Sequence, residues 1–533
     1  MKYVFITGGV VSSLGKGITA ASLGKLLRAR GYRVSLQKLD LYYNVEPGFL
    51  SPLEHGEAFI TEDGTAADLD LGHYERFVDT TLSGDASSTT GKIHHRLIER
   101  ELSGEYRGST IQAIPHVANE IKRCIREAAE NAGAEIQLVE IGGTVGDMEA
   151  AVYLEAIRQM RWECPNPNDC CYVHVTLMPF IVAAGELKTK PTQNSVKVLR
   201  STGIQPDVIV CRTEVPMTTE AKDKVALFCN VKAGNVIQNL DVDCLYEVPL
   251  MLEKEGLAKD VLAELGLENR PADLDAWKAM YRHYREVTHT LHIALVGKYV
   301  TVPDAYLSVS EALQHAGLAE DVHVAVTAVN SEEIVPETVE AILSKYSAIV
   351  VPGGYGDRGT DGMVVAAQYA RENRVPFLAI GFGMQLTVVE AVRNLLNIPD
   401  ANTTEVDPQT QHPVARIPED RICRNDSRGA TRMGGGGVLL REGMIRSVYG
   451  ENTVHERHSN RYEIDQQYVL PLAQKGFRLV GTSAETGYPE AFELEGHPFY
   501  AAVIYHPEFQ SRPNRPHPLF TAFIRAAKQG SER

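Results

Sequence analysis

The chain has 533 residues, too many for one hydrophobic core, and this length predicts two or more domains. Apolar residues make up 44% of the chain and charged residues 23%, an ordinary globular composition that excludes a disordered or fibrous protein. The net charge of −16 argues against nucleic acids and anionic membranes as partners, and it favours small anions held in a local basic pocket.

The opening residues, MKYVFITGG, predict a strand rather than a leader peptide, and no apolar run approaches transmembrane length. We therefore expect a cytoplasmic protein. The eight cysteines show no framework spacing, which suits a reducing compartment. The run CPNPNDCC lacks CxxC spacing and a nearby histidine pair. Its Cys164, Cys170 and Cys171 therefore predict a surface loop with free thiols rather than a zinc site.

Apolar, β-rich runs alternate with helical patterns in both halves of the chain, which predicts an α/β protein with parallel sheets covered on both faces. The runs of the first half are KYVFITGG, YRVSLQKLD, EIQLVEIGG, YVHVTLMPF and DVIVCR. Those of the second half are HIALVGKY, VHVAVTAV, SAIVVPGG, VPFLAIG and YAAVIYHPEF. A polar, charge-rich stretch at 269–290 predicts a linker between domains at 1–268 and 291–533.

The first strand leads into GGVVSSLGKGITAASLGKLLRARG, which is typical of a phosphate-binding turn before a helix. Glycines let backbone N–H groups approach a phosphate, and Lys16 supplies a positive charge. The match to GxxxxGK[ST] is imperfect, because five residues separate Gly9 from Gly15 and Gly17 replaces Ser or Thr. A plain glycine-rich turn between strand and helix is the alternative interpretation.

Carboxylates follow at places where they are suited to bind magnesium beside nucleotide phosphates. They are Asp40 and Glu140, which end strands, and Asp68 and Asp70, which we expect on one side of an extended segment. In GELKTKPTQNS, Lys188 and Lys190 flank Thr189, and this spacing predicts two cations on one side of an extended loop that binds a second phosphate chain.

The stretch LAIGFGMQLT, residues 378–387, predicts a buried strand, a tight turn at Gly381 and an amphipathic helix. A strained turn of this kind usually presents a nucleophile. Glycine has no side chain with which to attack.

Long motifs in order along essentially the whole chain resemble the CTP synthase family. They are TGGVVSSLGKG, HGEAFITEDG, DLDLGHYERF, EIGGTVGDMEA, KTKPTQNSVK, GIQPDVIVCR, VGKYV, PDAYLSV, VPGGYG, RYEI and YHPEF. The resemblance implies a P-loop-type parallel-sheet amidoligase domain in which ATP phosphorylates O4 of UTP, ammonia attacks C4, and phosphate leaves. It also implies a class I glutamine amidotransferase-like domain, a homotetramer able to stack into filaments, GTP as an effector and CTP as an inhibitor.

The same resemblance implies the site residues of the first half. Lys16 and Lys38 would contact the transferring phosphate, while Asp70 and Glu140 would bind Mg²⁺. The residues implied in ATP binding are Ser12, Ser13, Leu14, Gly15, Lys16, Gly17 and Asp70. Those implied in binding UTP or CTP are Ser12, Asp147, Glu149, Lys188, Lys190 and Gln193.

In the second half the family uses a cysteine nucleophile, a histidine and a carboxylate. The motif YHPEF supplies His506 and Glu508, and the family's GICLGMQ reads AIGFGMQ here, with Gly381 at the cysteine position. The only cysteine after residue 290 is Cys423, in the polar run RICRNDSRG. Backbone groups of Gly353 and Gly354 are expected to form an oxyanion hole, and the implied glutamine-pocket residues are Lys298, Glu405 and Arg461.

Three functions remain open on the sequence. The first is an amidoligase that takes free ammonia, with little or no glutaminase activity. The second is a specialised paralogue that uses another small amine or a modified pyrimidine nucleotide, suggested by Ala58 where the family has valine. The third is a non-catalytic nucleotide-binding subunit of a filament, against which the intact Lys16, Lys38, Asp70 and Glu140 argue.

Overall fold

All ten predicted strands form in the computed structural model, which describes residues 1–422 and 431–531. The prediction of two α/β domains is confirmed, because the strands lie in two separate sheets. By internal contacts the chain divides into one unit of residues 1–47 and 70–281 and a second of residues 48–69 and 282–533.

The first unit contains a seven-stranded sheet in which every pairing is parallel. In spatial order its strands are Val236–Leu240, Val208–Thr213, Cys170–Leu177, Lys2–Gly8, Ile136–Ile141, Val34–Asp40 and Ser87–Thr89. Its longer helices are Lys16–Arg28, Asp70–Val78, Thr90–Leu102, Ala118–Asn131, Ala151–Glu163, Lys190–Ser201, Thr219–Cys229, Val248–Glu255 and Leu257–Glu264. The parallel order brings the carboxyl ends of all these strands to one edge.

The second unit contains a nine-stranded mixed sheet. Its first five strands are parallel: His323–Asn330, Thr290–Gly297, Ala348–Val351, Phe377–Ile380 and Tyr500–Val503. Four antiparallel strands extend it: Pro489–Leu494, Phe477–Ser483, Arg432–Leu440 and Thr453–Asn460. The helices of this unit within the described residues are Pro52–His55, Leu307–Ala319, Val339–Leu343, Thr360–Asn373, Phe382–Leu395, Glu419–Ile422, Met444–Tyr449, Val469–Ala473 and Pro518–Ser531.

Side chains of the central strand Phe377–Ile380 alternate between two hydrophobic cores. Phe377 and Ala379 belong to one core, and Leu378 and Ile380 belong to the other. Alternation with period two sends successive side chains to opposite faces, so both faces of the sheet are covered, as the continuous apolar run predicted.

The segment 48–69 lies between two elements of the first unit in sequence, yet it packs with the second unit. Phe59 is buried, and its ring meets the ring of Phe509 edge-on at 5.1 Å. The Glu57 carboxylate accepts a hydrogen bond from the backbone N–H of Ser308 at 2.8 Å. The domain bounds predicted from the sequence, 1–268 and 291–533, place the segment 48–69 in the first domain, whereas the structure groups it with the second unit.

The predicted linker, residues 269–290, contains the helix Asp275–Glu286, and the division between the two units falls within this helix. No helix of the described residues is both long enough and apolar enough to cross a membrane. The prediction of a surface loop at CPNPNDCC is wrong for Cys170 and Cys171, because both are buried in the strand Cys170–Leu177. Cys423 lies outside the described residues.

Glu62 in the segment 48–69 forms two charged hydrogen bonds within the second unit. Its carboxylate accepts from Nε2 of His455 at 2.5 Å and from Nε of Arg457 at 3.2 Å. Burial alone would raise the pKa of Glu62, but these two hydrogen bonds outweigh it and lower that pKa. The ionised carboxylate therefore stabilises the folded state.

We expect Glu62→Gln to lower the unfolding midpoint at pH 7 by about 2–4 °C, since a half-exposed charged hydrogen bond contributes about 1 kcal/mol. Because the folded-state pKa lies below the unfolded value, this contribution is complete above the unfolded pKa of about 4.3 and is lost as pH falls through the folded one. Thermal unfolding between pH 7 and about pH 2 measures it, with exposed Glu54→Gln as the matched control. An equal midpoint for the two variants at pH 7 would contradict the assignment.

Candidate functional site

The loop after the strand Lys2–Gly8 turns the chain sharply into the helix Lys16–Arg28. Val10 and Ser13 adopt positive φ values of 88° and 55°, and Gly15 has a φ of 85° at the start of the helix. Lys16 is buried, and its Nζ donates to the carbonyl of Gly143 at 3.0 Å. Burial lowers the pKa of Lys16. Backbone N–H groups at the start of a helix beside a buried lysine suit a phosphate group.

A buried cluster of charges stands beside this loop, at the carboxyl edge of the sheet. The ammonium group of Lys38 contacts the carboxylate of Asp70 and lies 3.2 Å from Oε1 of Glu140. Lys38 and Glu140 are adjacent because their strands pair in parallel register at these residues. Burial raises the pKa of Glu140, and the charge of Lys38 opposes that rise.

The backbone at Asp70 differs from the sequence prediction. Asp70 is the first residue of the helix Asp70–Val78 rather than part of an extended segment, and Asp68 belongs to the segment grouped with the second unit. The Asp70 carboxylate lies directly against Gly17, where a Cβ would overlap it. Gly17 therefore replaces the Ser or Thr of the usual phosphate-loop pattern with the one residue that leaves room for this carboxylate.

The donor set at this edge fits magnesium chemically, because Asp70 and Glu140 offer the hard oxygen ligands that Mg²⁺ prefers. Lys38 supplies a positive charge at the place where these two carboxylates meet. Within the described residues, three or more His, Cys, Asp or Glu side chains do not cluster as a metal site. A cation here would thus depend on two carboxylates and on substrate oxygens, which is how Mg²⁺ is usually held beside phosphates.

Three features of this region were not predicted from the sequence. The hydroxyl of buried Tyr74 donates to Oε2 of Glu140. Buried His174 bridges Thr7 Oγ1 and Ser195 Oγ, each at 2.8 Å, and its pKa falls to about 3 because it is buried, so the ring is neutral. A cavity of about 220 Å³ lies beside the loop, lined by Val11, Ser13, Leu14, Leu177, Met178, Arg212, Thr213, Glu214 and Asp241.

The residues expected to bind the pyrimidine nucleotide make local contacts or face solvent. Asp147 accepts from the backbone N–H of Thr144 at 2.7 Å, Gln193 donates to Thr189 at 3.0 Å, and Lys188 pairs with Glu186. Glu149, Lys190 and Ser12 are exposed. The prediction of an extended loop is wrong at Lys190, which begins the helix Lys190–Ser201. Their assignment to UTP or CTP stays a prediction.

The predicted elbow is present in the second unit. Gly381, with φ 59° and ψ −119°, joins the strand Phe377–Ile380 to the helix Phe382–Leu395. This is a backbone conformation that residues other than glycine adopt only with strain. The prediction of an amphipathic helix is wrong, because residues 382–392 are all buried.

His506 and Glu508 lie at this elbow as a hydrogen-bonded pair. The Nδ1–H of His506 donates to Oε1 of Glu508 at 2.7 Å, while the buried Nε2 has no hydrogen-bond partner among the described residues. A Cβ on Gly381 would lie 2.9 Å from both Cε1 and Nε2 of His506, closer than such atoms normally approach. The imidazole therefore stands partly in the space that a side chain at position 381 would need.

Two of the implied glutamine-pocket residues, Lys298 and Glu405, contact the backbone at residues 355–356, and Lys298 also contacts the first residue of the elbow helix. Nζ of Lys298 donates to the carbonyls of Tyr355 and Gly356 at 3.0 and 2.7 Å, and burial lowers its pKa to about 8. Glu405 accepts from the backbone N–H of Gly356 at 2.8 Å. Nζ of Lys298 also lies 4.9 Å from the ring centre of Phe382, a cation–π contact.

Three further members of the implied set are Gly353, Gly354 and Arg461. A Cβ on Gly353 would lie 3.3 Å from Cε1 of His506, and one on Gly354 would lie 3.4 Å from Cε of Lys298. Arg461 donates through Nε to Thr431 Oγ1 at 3.1 Å. The elbow, His506 and Gly353 thus lie together and Gly354 lies beside Lys298, whereas their part in binding glutamine stays a prediction.

Comparison with known proteins gives matches over both halves. Residues 2–267 match the family model for the CTP synthase N-terminus, and residues 301–526 match glutamine amidotransferase class-I. The chain is 50% identical over 531 residues to a CTP synthase of Symbiobacterium thermophilum, covering 99% of this chain and 98% of that protein. It is also 50% identical over 532 residues to a CTP synthase of Pelotomaculum thermopropionicum, covering 100% and 99%.

A solved structure, the glutaminase domain of Trypanosoma brucei CTPS with bound acivicin, is 35% identical and covers 45% of this chain and 94% of that chain, with a TM-score of 0.42. The full-length identity to the two bacterial proteins and the matches of both halves decide the assignment. The chain belongs to the CTP synthase family and is an ATP-dependent ligase.

Proposed function

We propose that this ligase aminates UTP at C4 with free ammonia rather than with ammonia released from glutamine. The observation that carries the proposal is Gly381, which occupies the elbow in a backbone conformation open to glycine, beside the pair His506 and Glu508, but has no nucleophilic atom. The charged cluster of the first unit supports a working ligase, because Lys16, Lys38, Asp70 and Glu140 are present together with their supporting contacts.

The reaction requires two displacements. Oxygen O4 of UTP attacks the γ-phosphorus of ATP, the bond from that phosphorus to the bridging oxygen breaks, ADP leaves, and N3 of the uracil ring loses its proton. The nitrogen of ammonia then attacks C4, the C4–O4 bond breaks with its electron pair going to phosphate, and the nitrogen loses a proton. Such transfers depend on position and charge neutralisation more than on covalent help from the protein.

The residues of the first unit suit that task. Lys16 and Lys38 place positive charge beside the loop where phosphate oxygens gain negative charge, and Tyr74 orients Glu140 through its hydroxyl. Magnesium bound by Asp70 and Glu140 would neutralise further phosphate charge. Arg212 lines the adjoining cavity, and its guanidinium donates to the carbonyl of Ser13 in the loop at 3.0 Å.

Glutamine is an unsuitable nitrogen donor for this chain. Thioester formation requires a thiolate, and position 381 offers none. Removing one member of a catalytic triad leaves about 10³ to 10⁴ of acceleration over water, supplied by binding and the oxyanion hole. Regulation by GTP and CTP, a homotetramer and filaments stay predictions from the family resemblance.

Loss of the Lys16 ammonium group should abolish synthesis. Lys16→Ala removes a buried positive charge at the phosphate loop, and we expect a rate loss of about a hundredfold or more, which corresponds to about 3 kcal/mol. The measurement is CTP formed from ATP, UTP, magnesium and ammonium. Arg28→Ala, an exposed change at the other end of the same helix, is the control. A Lys16→Ala rate near that of Arg28→Ala would refute the phosphate-site assignment.

Saturating ammonium should give product, while glutamine at equal nitrogen concentration should give little. Mass spectrometry of the nucleotide product identifies the amine that was incorporated, with methylamine and hydroxylamine as further donors. Products carrying these amines would favour the specialised paralogue, and no aminated nucleotide from any donor would favour the non-catalytic subunit. A glutaminase rate equal to that of an ordinary CTP synthase would overturn the proposal.

Filling position 381 should disturb His506. Gly381→Ala should destabilise the protein by about 1–3 kcal/mol more than Gly487→Ala, because both positions have positive φ but only the first lacks space for a Cβ. Removing the imidazole in the double variant Gly381→Ala with His506→Ala should recover part of that loss. Thermal or denaturant unfolding measures these differences.

For the same steric reason, Gly381→Cys should regain little glutaminase activity, since the new side chain displaces the histidine that must activate it. A Gly381→Ala variant as stable as Gly487→Ala, or a fully active Gly381→Cys glutaminase, would show that the ring does not obstruct this position.

A further inference from the structure

Two thiols of the first unit are in contact at the amino end of its sheet. The Sγ atoms of Cys164 and Cys170 are 3.6 Å apart. Cys164 follows the helix Ala151–Glu163 and is half-buried, whereas Cys170 begins the strand Cys170–Leu177 and is fully buried. A disulfide bond of about 2.05 Å would require the two sulfurs to approach each other by about 1.5 Å.

The short loop between these cysteines is already held in shape. Asn166 and Asp169 form a capping box, in which the backbone N–H of Asn166 donates to Asp169 at 3.1 Å. Nζ of Lys2 forms an ion pair with Asp169 at 2.8 Å and donates to the carbonyl of Asn168 at 3.1 Å. Pro165 and Pro167 restrict the backbone further. Closing the ring therefore costs little additional conformational entropy in the folded state.

We propose that Cys164 and Cys170 form a reversible disulfide when the protein meets a peroxide. The half-buried Cys164 thiolate attacks the peroxide, the O–O bond breaks, and a sulfenic acid and water form. The Cys170 sulfur then attacks the sulfenic sulfur, the S–OH bond breaks, and a second water leaves with the remaining thiol proton. Two thiols lose two protons and two electrons in total, and the peroxide is reduced to two waters. A thiol reductant reverses the change.

Burial determines which cysteine reacts first. Burial raises the pKa of Cys170, so this thiol stays protonated. Because Cys170 is buried and Cys164 is only half-buried, the peroxide reacts with Cys164 first. Cys170 then reacts because it is already in contact with its partner. Buried Cys171, next along the strand, has its pKa raised by burial as well and remains a free thiol.

The disulfide should stabilise the unit without closing the phosphate site. Cys170 pairs with Tyr3 at the amino ends of their strands, whereas Gly8 pairs with Val175 at the carboxyl ends, where the phosphate loop begins. The bond would join the end of one helix to the start of one strand, far from that loop. This inference does not depend on the proposed function, because its main measurements are mass and stability.

The test treats the full-length protein with hydrogen peroxide, blocks the remaining thiols, and maps the peptides by mass spectrometry. We expect a loss of about 2 Da confined to the peptides that contain Cys164 and Cys170, reversed by dithiothreitol. We expect the unfolding midpoint to rise by about 5 °C, from closure of a seven-residue loop. Any ligase activity should change by less than about twofold.

Three variants separate this disulfide from other oxidation. Cys164→Ser should show neither the mass loss nor the rise in midpoint. Cys170→Ser should accumulate a sulfenic acid at Cys164 that dimedone traps. Cys171→Ala, the control, should behave as the parent does. The proposal is overturned if both thiols remain free, if another pairing forms instead, or if oxidation leaves the midpoint of the parent unchanged.

Discussion

A buried ammonium group between two carboxylates fixes the functional edge of the first unit. Charges removed from water must be paired, and Lys38 satisfies both Asp70 and Glu140. That requirement brings together the ends of two parallel strands and the first residue of a helix. The phosphate loop places Lys16 in the same region. Binding of an anionic substrate or a cation there would therefore change the net charge of this edge.

The elbow of the second unit shows what remains when a reactive side chain is absent. His506 keeps its hydrogen bond to Glu508, stacks on Phe509 with ring centres 5.4 Å apart, and leaves Nε2 without a partner among the described residues. A buried nitrogen without a partner is unfavourable. The Nδ1 hydrogen bond and the stacking on Phe509 hold the ring in place, with Cε1 and Nε2 each 2.9 Å from the position that a Cβ on Gly381 would take.

The sequence predicted the features that depend on neighbouring residues and failed on those that depend on distant ones. Continuous apolar runs predicted ten strands, and the glycine turn at 381 was predicted from its flanking strand and helix. Tyr74 was missed because a tyrosine in a helix carries no sign of a carboxylate 66 positions away. The burial of Cys170 was missed because the polar run NPND precedes it in sequence, although Cys170 pairs with Tyr3 in the sheet.

The largest difference between the predicted and the observed fold is the position of residues 48–69, which precede Asp70 in sequence but belong to the second unit. This segment gains its burial from Phe509 against Phe59, and its charge partners from His455 and Arg457 against Glu62. Without residues 282–533, Phe59 would be exposed and Glu62 would lose both hydrogen bonds. The segment runs directly into Asp70, a member of the charged cluster. The burial and charge pairing of this segment therefore depend on residues hundreds of positions later, with Glu62 and its two partners 393 and 395 positions apart, and no local pattern of the sequence could indicate them.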